Sequence, residues 1–116
     1  MQLVITKQAF DEAVESAVSA AKKGVYQAFR DCLLSREFTR QHGQAGTYPA
    51  TSPFVVYLFE ISTKSVKSGL WHDGKDLVHA FDEAVSLAVH FPEMNPLPPR
   101  IDFPVTVNLS EPVPCN

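Results

Sequence analysis

The residues best placed to do chemistry lie in the run WHDGKDLVH at positions 71–79. His72, Asp73, Asp76 and His79 fall close together there. On a helix, Asp76, His79, Glu83, Ser86 and His90 share one face, because offsets of three, seven, ten and fourteen stay within one stripe. Such a face can hold a metal through Asp76, His79 and Glu83, or pair a histidine with a carboxylate for acid–base work. No H-E-x-x-H or comparable spacing accompanies it. The stripe also lies off the apolar face, where solvated polar residues belong. A solvated face with no metal and no cofactor is therefore expected. A small enzyme or ligand-binding domain using the His72–His79 region is the alternative.

The other candidates are weaker. Cys32 falls on an apolar helical stripe, which suits a buried structural thiol better than a nucleophile. Cys115 has no base near it in sequence. Lys22, Lys23, Arg30, Arg36, Arg40 and His42, with Phe38 and Tyr48 nearby, sketch a nucleic-acid-binding module. Asp31 and Glu37 dilute that patch, and no aromatic strand signature of an RNA-binding sheet accompanies it. Cations that suit the negative end of a helix dipole explain the same pattern. A formal net charge of −3 also argues against general nucleic-acid affinity.

Acidic residues group elsewhere. Asp11, Glu12 and Glu15 line the start of a first helix, and Asp73, Asp76, Asp82 and Glu83 line the start of a second. Helix-dipole complementarity accounts for both groups without a partner. If the two helix starts are related by symmetry, they form one negative surface suited to a basic partner, such as the nucleic-acid-binding groove of another protein. The stretch PLPP at 96–99 reads as a stiff turn rather than a polyproline ligand.

These residues sit on elements that the sequence marks out. Leu3–Thr6 is a short β-branched run, a strand, and Thr6 can cap the helix that follows. Phe10, Val14, Ala17, Ala21, Val25, Ala28 and Cys32 form its stripe, with Gly24 inside and Gly43 as the stop. Residues 43–53 hold two glycines and two prolines and read as a loop. Phe54–Ile61, FVVYLFEI, is the strongest strand in the chain, and STKS at 62–65 turns it into a returning strand at Val66–Trp71. A second helix follows, with Asp73 as N-cap, a stripe of Leu77, Phe81, Ala84, Val85 and Ala88, and Pro92 as its end. A last strand spans Ile101–Leu109, with Pro104 placing it on an edge or at a bulge. Residues 110–116 read as a poorly ordered tail.

The only internal repeat is AFDEAVESAV at 9–18, returning as AFDEAVSLAV at 80–89 with eight of ten positions identical. Duplication and convergent helix composition both explain it. Either way it places equivalent turns at the starts of two helices.

The order β-α-β-β-α-β predicts a single α+β domain over 1–109, a ferredoxin-like two-layer sandwich with two helices on one face of an antiparallel sheet. In that fold FVVYLFEI would be an edge strand, although it reads as buried on both faces. Either the sheet order differs, or this edge pairs with a second copy or a partner.

Two cysteines in 116 residues are too few for a disulfide scaffold. No basic leader and no run of roughly 20 apolar residues is present. A cytoplasmic protein with no membrane contact is expected.

Since no phosphate loop, nucleophile elbow or zinc set stands out, a non-enzymatic protein-binding or inhibitory module is the first expectation. It would act on a host protein through the acidic helix ends or the strand edge. Small acidic proteins of phages and mobile elements that block host machinery, anti-CRISPR proteins among them, share that character. No motif carries the analogy.

Overall fold

A computed structural model describes residues 1–28, 30–93 and 101–114. Both Cys115 and PLPP at 96–99 lie outside them. The described elements run β1 (Gln2–Ile5), α1 (Lys7–Lys22), α2 (Leu33–His42), β2 (Thr47–Thr51), β3 (Val55–Glu60), β4 (Val66–Trp71), α3 (Lys75–His90), β5 (Val105–Asn108) and β6 (Val113–Pro114). The chain is α+β, with one hydrophobic core fed by every helix and by strands of both antiparallel sheets.

Thr6 caps α1 as expected, its Oγ1 accepting from the Ala9 N–H at 3.1 Å. The expected single helix to Gly43 is instead two. Lys23 is the C-cap of α1, and Gly24 follows at φ +72°. The Gly24 N–H donates to the Ala21 carbonyl and the Val25 N–H to the Ala20 carbonyl, the paired bonds of a Schellman stop. A glycine one residue past a pair of lysines was the signal for this end, and Val25 is accordingly exposed rather than on a buried stripe. The second helix restarts at Cys32 and buries Leu33, Leu34 and Phe38. Gly43 does end it, because a Cβ there would collide with the Thr39 carbonyl oxygen.

The repeat takes on a different meaning. The first copy occupies the early part of α1, but the second fills the later two-thirds of α3 rather than its start. The two helices pack on each other. The equivalent Phe10 and Phe81 rings meet edge to face, centroids 6.1 Å apart at 86°. Beyond the phenylalanines the copies are rotated differently: α1 buries Ala13, whereas α3 buries Val85.

The sheet order also differs from the ferredoxin-like expectation, which sets β1 beside β4. Here β1 pairs with β5, and a second sheet runs β2-β3-β4-β6. An antiparallel bridge between His72 and Leu109 links the two, so the chain from β5 to β6 passes between β1 and β4. Pro104 lies just before β5 instead of within a strand. The segment after Leu109, expected as a loose tail, carries β6 within the described residues. The 43–53 stretch contributes β2, and β3 is paired on both sides, by β2 and β4. That makes β3 interior and removes the exposed edge through which a second copy was expected to pair, but only one face of FVVYLFEI is buried, since Phe54, Tyr57 and Ile61 are exposed.

The outer strands are β1 and β2. Bonds at Leu109–Met1 set the alternation in β1, leaving Gln2 and Val4 facing outward. Two side chains of α2 meet them. The Val4 N–H donates to Gln41 Oε1 at 3.2 Å, Gln41 Nε2 donates to the Val4 carbonyl at 3.0 Å, and His42 Nε2 lies 2.7 Å from the Gln2 carbonyl. In β2, bonds at Ser52–Val55 and Ile61–Gly46 turn Tyr48 and Ala50 toward β3 and leave Thr47, Pro49 and Thr51 outward. Pro49 has no N–H to offer there.

Candidate functional site

The residues of the expected acidic site are exposed. Asp11 is paired with Lys7 at 2.7 Å, and Gln8 Nε2 donates to Glu12 at 3.1 Å. Glu15, Asp76 and Glu83 are exposed on their helices. Asp82 adjoins the loop after α1, where burial first, and the Asp82 charge after it, push the Tyr26 hydroxyl up to about 12. Desolvation raises the carboxyl of Asp82 itself, against the pull of His79.

Asp73 does not cap α3. Gly74 is the N-cap, and Asp73 instead accepts from the Asn108 side chain and the Asn108 backbone N–H, each at 2.8 Å. It closes the outer side of β5. Those donors hold its carboxyl below the usual range, so it is ionised at neutral pH.

The histidine region is divided. His72 is buried, with Nδ1 accepting from the Gly74 N–H at 3.0 Å and Nε2 2.8 Å from the Ser52 carbonyl. The first bond fixes the tautomer, so Nε2–H is the donor to Ser52. Both ring nitrogens thus brace the β2–β3 turn against the start of α3, and neither is left for acid–base work. Asp76, His79, Glu83, Ser86 and His90 are all exposed, as a solvated stripe requires. Among the described residues no group of three or more His, Cys, Asp or Glu side chains comes within reach of one metal ion. Cys32 is buried as expected, though as the N-cap of α2 rather than on a helical stripe. Burial pushes its thiol up to about 11, which keeps it protonated.

The basic residues separate into two sets. Arg40 folds onto Glu37, whose side chain is 2% exposed, with Nε and Nη2 both bonded to the carboxylate. Gln41 Nε2 donates to the same carboxylate. Arg40 first, and Gln41 after it, hold Glu37 below the usual carboxylate range. This network supports the clamp on β1, so Arg40 and His42 are structural. Arg30 and Arg36 go elsewhere. They line a cleft of about 360 Å³ between α1, α2 and β2, with Ser16, Asp31, Thr39 and Thr47. The Arg30 guanidinium lies 4.5 Å over the Tyr48 ring, and that ring stacks on Phe59 at 5.2 Å and 10°.

Sequence reasoning missed a further surface. Val56, Leu58 and Leu70 turn one face of the four-stranded sheet into the core. Alternation sends Tyr57, Ile61 and Trp71 to the other face. No described helix packs there, and these side chains are 37, 57 and 61% exposed. Trp71 is pinned by backbone bonds: its N–H donates to Ser110 Oγ and its carbonyl accepts from the Ser110 N–H, both at 2.8 Å. Exposed Asp73 follows it by two residues, and exposed Glu111 adjoins Ser110. The period of two in FVVYLFEI carried this signal, but its dense apolar character masked it. No helix among the described residues is long and apolar enough to cross a membrane.

No family model, no curated protein and no solved structure matches this chain.

Proposed function

We propose that this chain is a protein-binding module that blocks a host protein, and that it docks through the aromatic face of its four-stranded sheet. One observation carries the reading: Trp71 and Tyr57 stand exposed on a sheet face that no described helix covers, with their backbones held rigid by strand pairing. Rigid exposed aromatics are the residues that dominate protein interfaces. The expected acidic surface moves with this reading. Asp73 and Glu111 beside Trp71 give the rim negative charge, which suits a partner with a basic surface. The acidic residues of α1 and α3 are at most an outer steering field, since Asp11 and Glu12 already have local partners.

Capture on the immobilised chain from host lysate, followed by affinity measurement with the captured protein, tests this. Trp71→Ala weakens the complex by about 2 kcal/mol or more. Asp73→Asn and added salt slow association. Lys22→Ala, remote from the sheet face, leaves it unchanged. Capture that survives both Trp71→Ala and Tyr57→Ala would sink the proposal.

A further inference from the structure

We infer that the cleft between α1, α2 and β2 binds a small phosphorylated polyol, with its phosphoryl group on Arg30 and Arg36. The two guanidiniums form no ion pair among the described residues, unlike Arg40. Arg30 is pre-set for an anion. Its flat face rests on Tyr48, which Phe59 holds from behind, so the N–H groups at its edge stay free to form a fork. Asp31 also lines the cleft, but its Oδ2 is engaged by the Gln27 N–H at 2.7 Å. The N-terminal turn of α2 adds its partial positive charge beside Arg36.

Arg30, Arg36 and Asp31 leave the lining with a net positive charge of one, which suits a single phosphoryl group, and the volume exceeds what a bare phosphate fills. The remaining lining indicates what else the ligand carries. Thr39 Oγ1 donates to the Ser35 carbonyl and Thr47 Oγ1 to the Gln44 carbonyl, both at 3.0 Å. Their protons are spent, so their lone pairs accept from ligand hydroxyls. A nucleic-acid strand fits less well. It needs a track of cations, and Arg40 and His42 are committed to Glu37 and Gln2.

Titration of the full chain at low salt, followed by calorimetry and amide chemical shifts, tests the site with four probes: ribose 5-phosphate, inorganic phosphate, ribose and a short single-stranded oligonucleotide. Ribose 5-phosphate should bind saturably and more tightly than either of its halves, shifting the Arg36 amide. Arg36→Gln should weaken it about tenfold or more, the loss of one charge-assisted contact. Arg30→Lys keeps the charge but not the stack or fork, and should weaken it several-fold. Lys23→Gln, off the cleft, controls for net charge. The proposal is overturned by no saturable binding of either phosphate probe at millimolar concentration. It is equally overturned by binding that Arg36→Gln leaves intact, by inorganic phosphate binding as tightly as the sugar phosphate, or by the oligonucleotide binding more tightly with a steep salt dependence.

Discussion

The two outer strands of this fold are closed in opposite ways. At β1 the outward N–H and carbonyl of Val4 are met by the amide of Gln41, which copies the bonding of one strand residue. At β2 the outward donor is missing at Pro49, and the Thr47 N–H is turned back onto the Gln44 carbonyl at 3.3 Å. Both remove a template for strand addition. The first device is tertiary: it exists only while α2 is docked and Glu37 holds Gln41. The second is covalent at Pro49, with α2 covering only the far end of β2, where Thr51 Oγ1 lies 2.6 Å from Ser35 Oγ. The difference predicts that β1 is the edge that mutation or acid can open, whereas β2 opens only if Pro49 is replaced.

The largest effect should come from the base of the clamp. Glu37→Ala removes a buried acceptor that gathers Arg40 and Gln41, and should destabilise the chain by about 2 kcal/mol in urea unfolding. The Val4 amide should then exchange faster with solvent while the Tyr48 and Ala50 amides, bonded to β3, do not. Unchanged Val4 protection would show that Gln41 grips β1 without Glu37. Gln41→Leu tests the clamp directly. Its bonds are near solvent, so water replaces part of them and the loss should be about 1 kcal/mol.

These two edges also show what could be read from sequence. Strand, turn and strand at 55–71 were legible because a continuous β-favouring run and the STKS turn are local signals. The Thr6 cap was legible for the same reason. The break at Gly24 was present in the sequence as KKG, yet the apolar stripe runs past it in register, and a stripe does not show where a helix stops. The strand order depends on Leu109 crossing to His72, a contact between residues 37 apart, which no local pattern encodes. The candidate sites failed similarly. Asp73 has the right type for an N-cap, but Asn108 takes it. The arginines of one basic run divide between a structural network and a cleft only because α2 turns after the break. The exposed Trp71 face followed from strand alternation alone, once β3 was known to be interior.

Acid should act on the tertiary edge selectively. Glu37 and Asp73 both have folded pKa values below their ordinary 4.5 and 3.8. Their stabilisation is therefore complete above those values and drains as pH falls through the lower folded ones. Asp82 is raised and contributes the opposite sign, so the net loss belongs to the first two groups. The urea midpoint should fall as pH drops below 4.5, and Glu37→Gln should show a shallower fall. Equal slopes in the two proteins would place the acid sensitivity outside the clamp.

Pro49→Thr has the smallest expected effect on the monomer and the most specific consequence. Pro49 sits at a non-hydrogen-bonded position opposite Leu58, so replacing it breaks no ladder bond. Stability should change by a few tenths of a kcal/mol, within the range of surface substitutions. What changes is the edge. A threonine adds an outward N–H between the carbonyls of Thr47 and Thr51, on a β-favouring residue. Thr51 stays buried against α2, but the Thr47–Pro49 part of the edge then offers a donor between carbonyls, and sedimentation should detect a concentration-dependent dimer absent from the parent. Gln41→Leu should not dimerise the chain to the same degree, because His42 still covers the Gln2 carbonyl on that edge. If Gln41→Leu dimerises and Pro49→Thr does not, the covalent block at β2 is not what keeps this edge single.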